Sequence, residues 1–96
     1  MDPETTLYET LQSRGLAAGQ LVVATAGHDA GRVYLVIEVN GSFVLCIDGA
    51  IRPVDKPKRK RWRHVRPLGQ LRPGWALDLE AQKDIGQKNA LVRMLI

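Results

Sequence analysis

Hydrophobic and polar residues alternate through the middle of this 96-residue chain, and that pattern predicts a series of short strands. In the segment 32–39 every second residue is apolar, which predicts one buried face made of Val33, Leu35, Ile37 and Val39. The opposite face is predicted to carry Arg32, Tyr34 and Glu38. A half-buried strand is the structure that this alternation indicates.

Four further strands are predicted, at residues 21–25, 43–47, 51–54 and 64–68. The Asn40-Gly41 pair between the second and third strands is a strong signal for a tight hairpin. Pro53 cannot donate a ladder hydrogen bond, so it pushes its strand to an edge of the sheet. Several short strands joined by glycine turns predict a mainly β fold that coils into a small barrel.

A short helix is predicted on either side of the strands. At residues 3–14, Asp2 is a suitable cap and Pro3 suits the first helical position. At about 85–95, a capping-box-like Asp84-x-x-Gln87 precedes an apolar stripe at helical spacing, made of Leu91, Val92 and Leu95. The stripe is predicted to dock on the barrel; if it were exposed, it would mark a protein partner.

Length and composition indicate one ordinary globular domain, with 45% hydrophobic and 25% charged residues. Cys46 is the only cysteine, so an internal disulfide is excluded, and the residue is expected to be buried in its strand. The chain has no secretory leader pattern and no apolar run near the roughly 18 residues of a membrane span. We therefore expect a cytoplasmic protein without a membrane partner.

The positive charge is concentrated in residues 52–66, hereafter the basic segment. This segment holds eight Lys or Arg residues and one acid, a net charge of +7, whereas the rest of the chain has six basic and nine acidic residues. One concentrated basic element on a mildly acidic domain indicates a surface that meets a polyanion. The expected phosphate-binding residues are Lys56, Lys58, Arg59, Lys60, Arg61, Arg63, His64 and Arg66.

The basic segment has two other interpretations. It could be a solvated loop that only aids solubility, but such a surface usually mixes both signs of charge. The letters KPKRKR also fit a nuclear import signal. Pro57 disfavours helix at the start of the run, so an extended loop that lays its charges along a phosphate backbone is expected.

Trp62 lies between Arg61 and Arg63, and two roles are open for it. The ring either anchors the loop by packing on the barrel or offers a stacking surface to an unpaired base.

The turn 27–31 is rich in glycine. Gly27 and Gly31 are expected to adopt positive φ angles, and exposed amides of such a turn could meet a phosphate. Arg32 and His28 are candidate RNA contacts, and Asp29 is expected to cap the turn through its own backbone.

No enzyme is expected. The two histidines and one cysteine lack zinc-ligand spacing, no nucleophile–base pattern has a usable context, and the glycine turn lacks the Lys-Ser/Thr ending of a P-loop. We accordingly expect no catalytic residue, metal or cofactor.

The stretch 20–68, QLVVATAGHDAGRVYLVIEVNGSFVLCIDGAIRPVDKPKRKRWRHVRPL, resembles a KOW domain. More narrowly it is similar to the KOW domain of the large-subunit ribosomal protein family "L fourteen-e" and to small bacterial KOW proteins. The resemblance is carried by five elements in order: the strand 21–25, the turn Ala26-Gly27-x-Asp29-x-Gly31-Arg32, the strand 33–39, the strand ending in Ile47-Asp48-Gly49, and the basic segment closing on His64-Val65. The chain departs from the pattern at His28, where a more basic residue is expected, and at Ala30.

This resemblance implies an SH3-like barrel over 20–68. The residue pattern, rather than the resemblance, predicts the flanking parts, an N-terminal helical extension (1–19) and a C-terminal extension with a short helix (69–96). The resemblance also implies RNA binding on the ribosome, with large-subunit ribosomal RNA as the main expected partner and ribosomal proteins as a second one. Two alternatives remain open: a protein-interaction module of transcription or translation that uses the terminal helices, and a surface for anionic lipid.

Overall fold

The computed structural model describes residues 15–96, and the predicted helix at 3–14 lies outside them. Five antiparallel strands form one sheet in the order β4-β3-β2-β1-β5. They are β1 Gln20–Ala24, β2 Val33–Asn40, β3 Phe43–Ile47, β4 Lys58–Arg61 and β5 Val65–Gln70. Two helices follow, α1 Trp75–Glu80 and α2 Ile85–Leu95, and a short 3-10 helix, Trp62–His64, joins β4 to β5. The prediction of a mainly β fold is confirmed.

The short link between β4 and β5 shows that the sheet is strongly curved. These two strands are the outer strands of the sheet, so they would lie ~19 Å apart if it were flat. Only Trp62–His64 separates them, and three residues of 3-10 helix rise ~6 Å. The sheet therefore coils until its two edges approach each other at this end. Within residues 15–96, however, no strand pairing joins β4 to β5, so the sheet is not closed.

Each face of the sheet packs on its own apolar cluster. The strand cluster lies inside the curve and contains Leu16, Val22, Ala24, Tyr34, Val36, Val44, Cys46 and Val65. The helix cluster lies between the sheet and the helices and contains Leu35, Ile47 and Val92, with Leu21, Ile37, Val54, Leu71, Trp75 and Leu79 packed around them. Burial of Cys46 confirms the prediction for this residue, and burial of Val92 confirms that α2 docks on the sheet.

The prediction for the two faces of β2 is wrong in part. Tyr34 was expected on the outer face but is only 1% exposed, because the inside of the curve is as apolar as the helix side. Val39 was expected to share a face with Ile37, yet it packs against the strand cluster. A register shift between Val36 and Glu38 inserts one extra residue into the pairing with β3, which reverses the alternation beyond that point.

The predicted strand 51–54 does not form. The side chain of Asp48 accepts hydrogen bonds from the backbone amides of Ala50 and Arg52, each at 2.8 Å. The amide of Val54 donates to the side chain of Asn89 in α2. Because these amides are bonded to side chains, the segment folds as a turn against α2 rather than as an edge strand.

The two helices differ in how clearly the sequence signals where they begin. Helix α2 begins as predicted, because the Asp84 side chain accepts a hydrogen bond from the Gln87 amide at 2.8 Å. Helix α1 was not predicted: it has six residues and no side-chain cap. Only the spacing of Trp75 and Leu79, both packed against the helix cluster, could have indicated it.

Candidate nucleic-acid interface

The basic segment is a loop only in its first part, residues 52–57, contrary to the prediction. Its residues 58–61 form β4, which pairs with β3 so that Lys60 lies opposite Val44 and Arg61 opposite Phe43. Alternation along a strand therefore divides the charges between two sides. Lys58 and Lys60 lie on one side, of which Lys60 is buried, while Arg59 and Arg61 are exposed on the other.

Lys60 is a structural residue rather than part of the exposed charge. Its side chain is 6% exposed, and its Nζ atom lies 2.9 Å from Oδ1 of Asp29 and 3.2 Å from the carbonyl oxygen of Ala26. The hydroxyl of Tyr34 donates to the other oxygen of Asp29 at 2.8 Å. The expectation that Lys60 contacts RNA is therefore wrong, because its ammonium group is bound inside the protein.

Asp29 accordingly has a larger role than the predicted cap of its own turn. Burial on its own would raise the pKa of this carboxyl, but the hydrogen bonds from Lys60 and Tyr34 outweigh burial and lower the pKa to about 2. Burial and the hydrogen bond to Asp29 raise the pKa of Tyr34 above its ordinary value. The three side chains thus form a buried polar cluster that fixes the 27–31 turn to β4.

Arg59 and Arg61 are held against one aromatic ring. The guanidinium carbon of Arg59 lies 3.8 Å from the centroid of the Phe43 ring, and that of Arg61 lies 4.9 Å from it. Such cation–π contacts orient a guanidinium without neutralising its charge. Phe43 was not among the predicted site residues, because it comes to lie opposite Arg61 only through the pairing of β3 with β4.

Five cations of the basic segment are exposed. The ion pairs within residues 15–96 join Lys60 to Asp29 and Arg32 to Asp48, so none of the five is neutralised by a described acid. Arg52, Lys58 and His64 are half-buried. The exposed set, hereafter the basic surface, consists of Lys56, Arg59, Arg61, Arg63 and Arg66.

Trp62 is half-buried and packs against the strand cluster, which agrees with the anchoring role. Its backbone amide donates to the carbonyl oxygen of Ser42 at 3.0 Å. The ring also lines an open cavity of about 530 Å³, together with Leu16, Arg63, Val65, Arg66 and Pro67. The side chain therefore contacts the core and also faces a space that solvent can enter.

The glycine turn adopts the predicted backbone. Gly27 and Gly31 have φ angles of 90° and 89°, which confirms that these positions need left-handed geometry. The amide of Gly31 donates to the carbonyl oxygen of Ala24 at 2.8 Å, so it is not free for a phosphate. His28 is exposed, whereas Arg32 lies 3.7 Å from a carboxylate oxygen of Asp48.

The fold brings the glycine turn next to the basic segment. The amide of Thr25, two residues before Gly27, donates to the carbonyl oxygen of His64 at 2.8 Å. The Lys60–Asp29 ion pair makes a second link between the same two parts of the chain. The two segments predicted to bind RNA are thus neighbours in the structure.

Other chemistry has little support in the described residues. The Cys46 thiol is fully buried, and burial raises its pKa to about 12, although the charge of Lys60 opposes this shift. Residues 15–96 contain no cluster of three or more His, Cys, Asp or Glu side chains that could hold a metal ion. Among the same residues, neither helix has the length and apolarity needed to cross a bilayer.

No protein-family model matches the chain, and no curated protein is significantly similar to it in sequence.

Proposed function

We propose that this protein binds RNA through the basic surface, as a ribosome-associated KOW-like protein with large-subunit ribosomal RNA as its target. The observation that carries the proposal is the Arg59–Phe43–Arg61 arrangement. Two guanidinium groups are held on one ring, exposed and without a described acidic partner. Ordered, unneutralised guanidiniums suit phosphate, because their N–H groups match its oxygens and less side-chain entropy is lost on binding.

An SH3-like barrel is the fold that we propose for residues 20–68. The strand order β4-β3-β2-β1-β5 and the three-residue link between the outer strands support a sheet coiled almost into a barrel. The sequence resemblance to KOW domains points to the same fold. In this arrangement the 27–31 turn and the basic segment meet at one end, where a phosphate backbone could contact both.

The experiment that tests the proposal compares two charge-removing double variants. Arg59→Gln/Arg61→Gln removes the ordered pair, while Arg72→Gln/Lys83→Gln removes two exposed charges outside the basic segment. Binding to a ribosomal RNA fragment should weaken only for the first variant, with a salt dependence whose slope falls by about one to two units. Equal weakening by both variants would mean that net charge alone governs binding.

Association with the ribosome is tested by sedimentation of a cell lysate through a sucrose gradient. The tagged protein should travel with the large subunit, and the Arg59→Gln/Arg61→Gln variant should move to the top of the gradient. If the unchanged protein stays at the top even at low salt, the ribosomal target is wrong.

A protein-interaction module is the second candidate, because both helices expose apolar side chains. Leu77 in α1 is 71% exposed and Met94 in α2 is 76% exposed. A partner bound there should be lost on Leu77→Ser/Met94→Ser substitution and retained in Arg59→Gln/Arg61→Gln. The reverse pattern favours RNA.

A further inference from the structure

The cavity beside Trp62 combines an apolar floor with a charged rim. Leu16 and Val65 are buried members of the strand cluster, and Pro67 and the Trp62 ring complete the apolar part. Arg63 and Arg66 line the same cavity and are exposed members of the basic surface. Its volume of about 530 Å³ lies in the range of ~300–1,000 Å³ that small-ligand sites occupy.

We propose that this cavity receives one unpaired base of the bound RNA, against the Trp62 ring, while Arg63 and Arg66 bind the adjoining phosphates. The inference rests on the proposed RNA-binding function and makes its substrate class narrower. A nucleotide is the ligand that fits both parts, because a base is flat and aromatic while the groups on either side of it are anionic. An uncharged apolar ligand would leave the two arginines without a role.

Continuity with the rest of the basic surface supports the same occupant. Arg61, held by Phe43, is followed directly by Trp62 and Arg63 in the 3-10 helix, and Arg66 lies in the strand after it. Cations thus precede and follow the ring along the chain. An RNA backbone bound by them would pass the mouth of the cavity.

The substrate class follows from what each RNA form exposes. In an uninterrupted A-form duplex the bases are paired and stacked, so none of them can enter a protein cavity. Bulges, loops and ends contain unpaired bases that can. The protein should therefore prefer RNA with an unpaired nucleotide over duplex of the same length and charge.

The test uses two RNA hairpins that differ only by a single-nucleotide bulge in the stem, titrated with the full chain. The bulged hairpin should bind roughly 5- to 150-fold more tightly, the range that one base–aromatic stack provides. Trp62→Leu, which keeps an apolar side chain but no ring, should abolish this preference, so that the variant binds the two hairpins equally. Trp62→Phe should retain most of the preference.

A second readout does not depend on the Leu variant folding. Trp75→Phe leaves Trp62 as the only tryptophan, and the bulged hairpin should quench its fluorescence while the paired hairpin does not.

Equal binding of both hairpins by the unchanged protein would overturn the inference and leave the proposed RNA binding intact. A preference that survives Trp62→Leu would place the base elsewhere and would also overturn it. Failure to bind either hairpin or ribosomal RNA would remove the proposed function itself.

Discussion

The ammonium group of Lys60 and the carboxylate of Asp29 lie 2.9 Å apart inside the protein, so one charge of the basic segment serves the fold. Its neighbours Arg59 and Arg61 point to the other side of the same strand and remain exposed. A run of like charges in sequence is thus divided by strand alternation into a structural lysine and two exposed arginines. Under the proposed function, this division should make stability and RNA affinity separable by mutation.

Lys60→Met should destabilise the protein by about 3 kcal/mol, because it leaves the charge of Asp29 buried without its partner. Urea unfolding measures the change, and Lys58→Met is the matched control, since Lys58 is half-buried and has no ion pair with a described acid. The control should lose less than about 1 kcal/mol. A Lys60→Met protein as stable as the control would show that the ion pair contributes nothing net.

Acid should weaken the fold through Asp29. The pKa of this carboxyl is about 2 in the folded protein, below its ordinary value of 3.8, so the unfolded chain binds the proton more readily. The resulting stability, about 2 kcal/mol, is present above pH ~4 and is lost as the pH falls through 2. Urea unfolding between pH 2 and 6 should show this loss, and Asp29→Asn should flatten the dependence. An unchanged dependence in the variant would assign it to other acids.

Phe43→Leu should weaken RNA binding about 2- to 10-fold, although Phe43 itself carries no charge. Without the ring, Arg59 and Arg61 are less ordered before binding, and we expect the added cost to equal that of immobilising about one side chain, roughly 0.5–1.5 kcal/mol. Phe43→Tyr keeps the ring and should bind as the unchanged protein does. If Phe43→Leu binds RNA as tightly as the unchanged protein at the same salt concentration, the ring contacts do not order the two arginines for binding.

Gly49→Ala should destabilise the fold by about 2 kcal/mol or more. A Cβ atom at Gly49 would lie 2.4 Å from the carbonyl oxygen of Asn89 in α2, and the φ angle there is 78°. Gly41→Ala is the control, since Gly41 also has positive φ but its added Cβ would meet nothing within 4 Å. The control should show only the cost of left-handed backbone, about 1–2 kcal/mol. Equal thermal shifts would argue against close packing of α2 on this turn.

The sequence was sufficient for the elements that have strong local signals. Alternation and the Asn40-Gly41 pair located β2 and β3, and the Asp84 cap located α2. The burial of Lys60 was not predictable, because it depends on Asp29, which the chain brings close only by coiling the sheet. A local pattern cannot indicate such a non-local partner.

The same reasoning explains two further errors, at residues 51–54 and at Tyr34. The predicted strand 51–54 has suitable residues, but its amides donate hydrogen bonds to the side chains of Asp48 and Asn89. Asn89 lies far along the chain, so a local pattern does not reveal it. Alternation predicted Tyr34 on the outer face with Arg32 and Glu38, yet its hydroxyl donates to Asp29 inside the protein. The basic charge was thus correctly located in sequence, while its division between two sides required the strand pairing.

The pairing of β1 with β5 has a consequence for how the protein folds. Ala24 pairs with Val65 and Gln20 with Gln70. During synthesis, β1 is made early and cannot form this pairing until β5 has been made. Such non-local pairing slows folding, and a growing chain presents the open edge of β1 until β5 emerges. The last residue of the basic surface, Arg66, lies in β5 itself, and the other four precede this strand. The basic surface is therefore complete only once β5 has been made, so RNA binding, as proposed for this protein, would follow completion of the sheet.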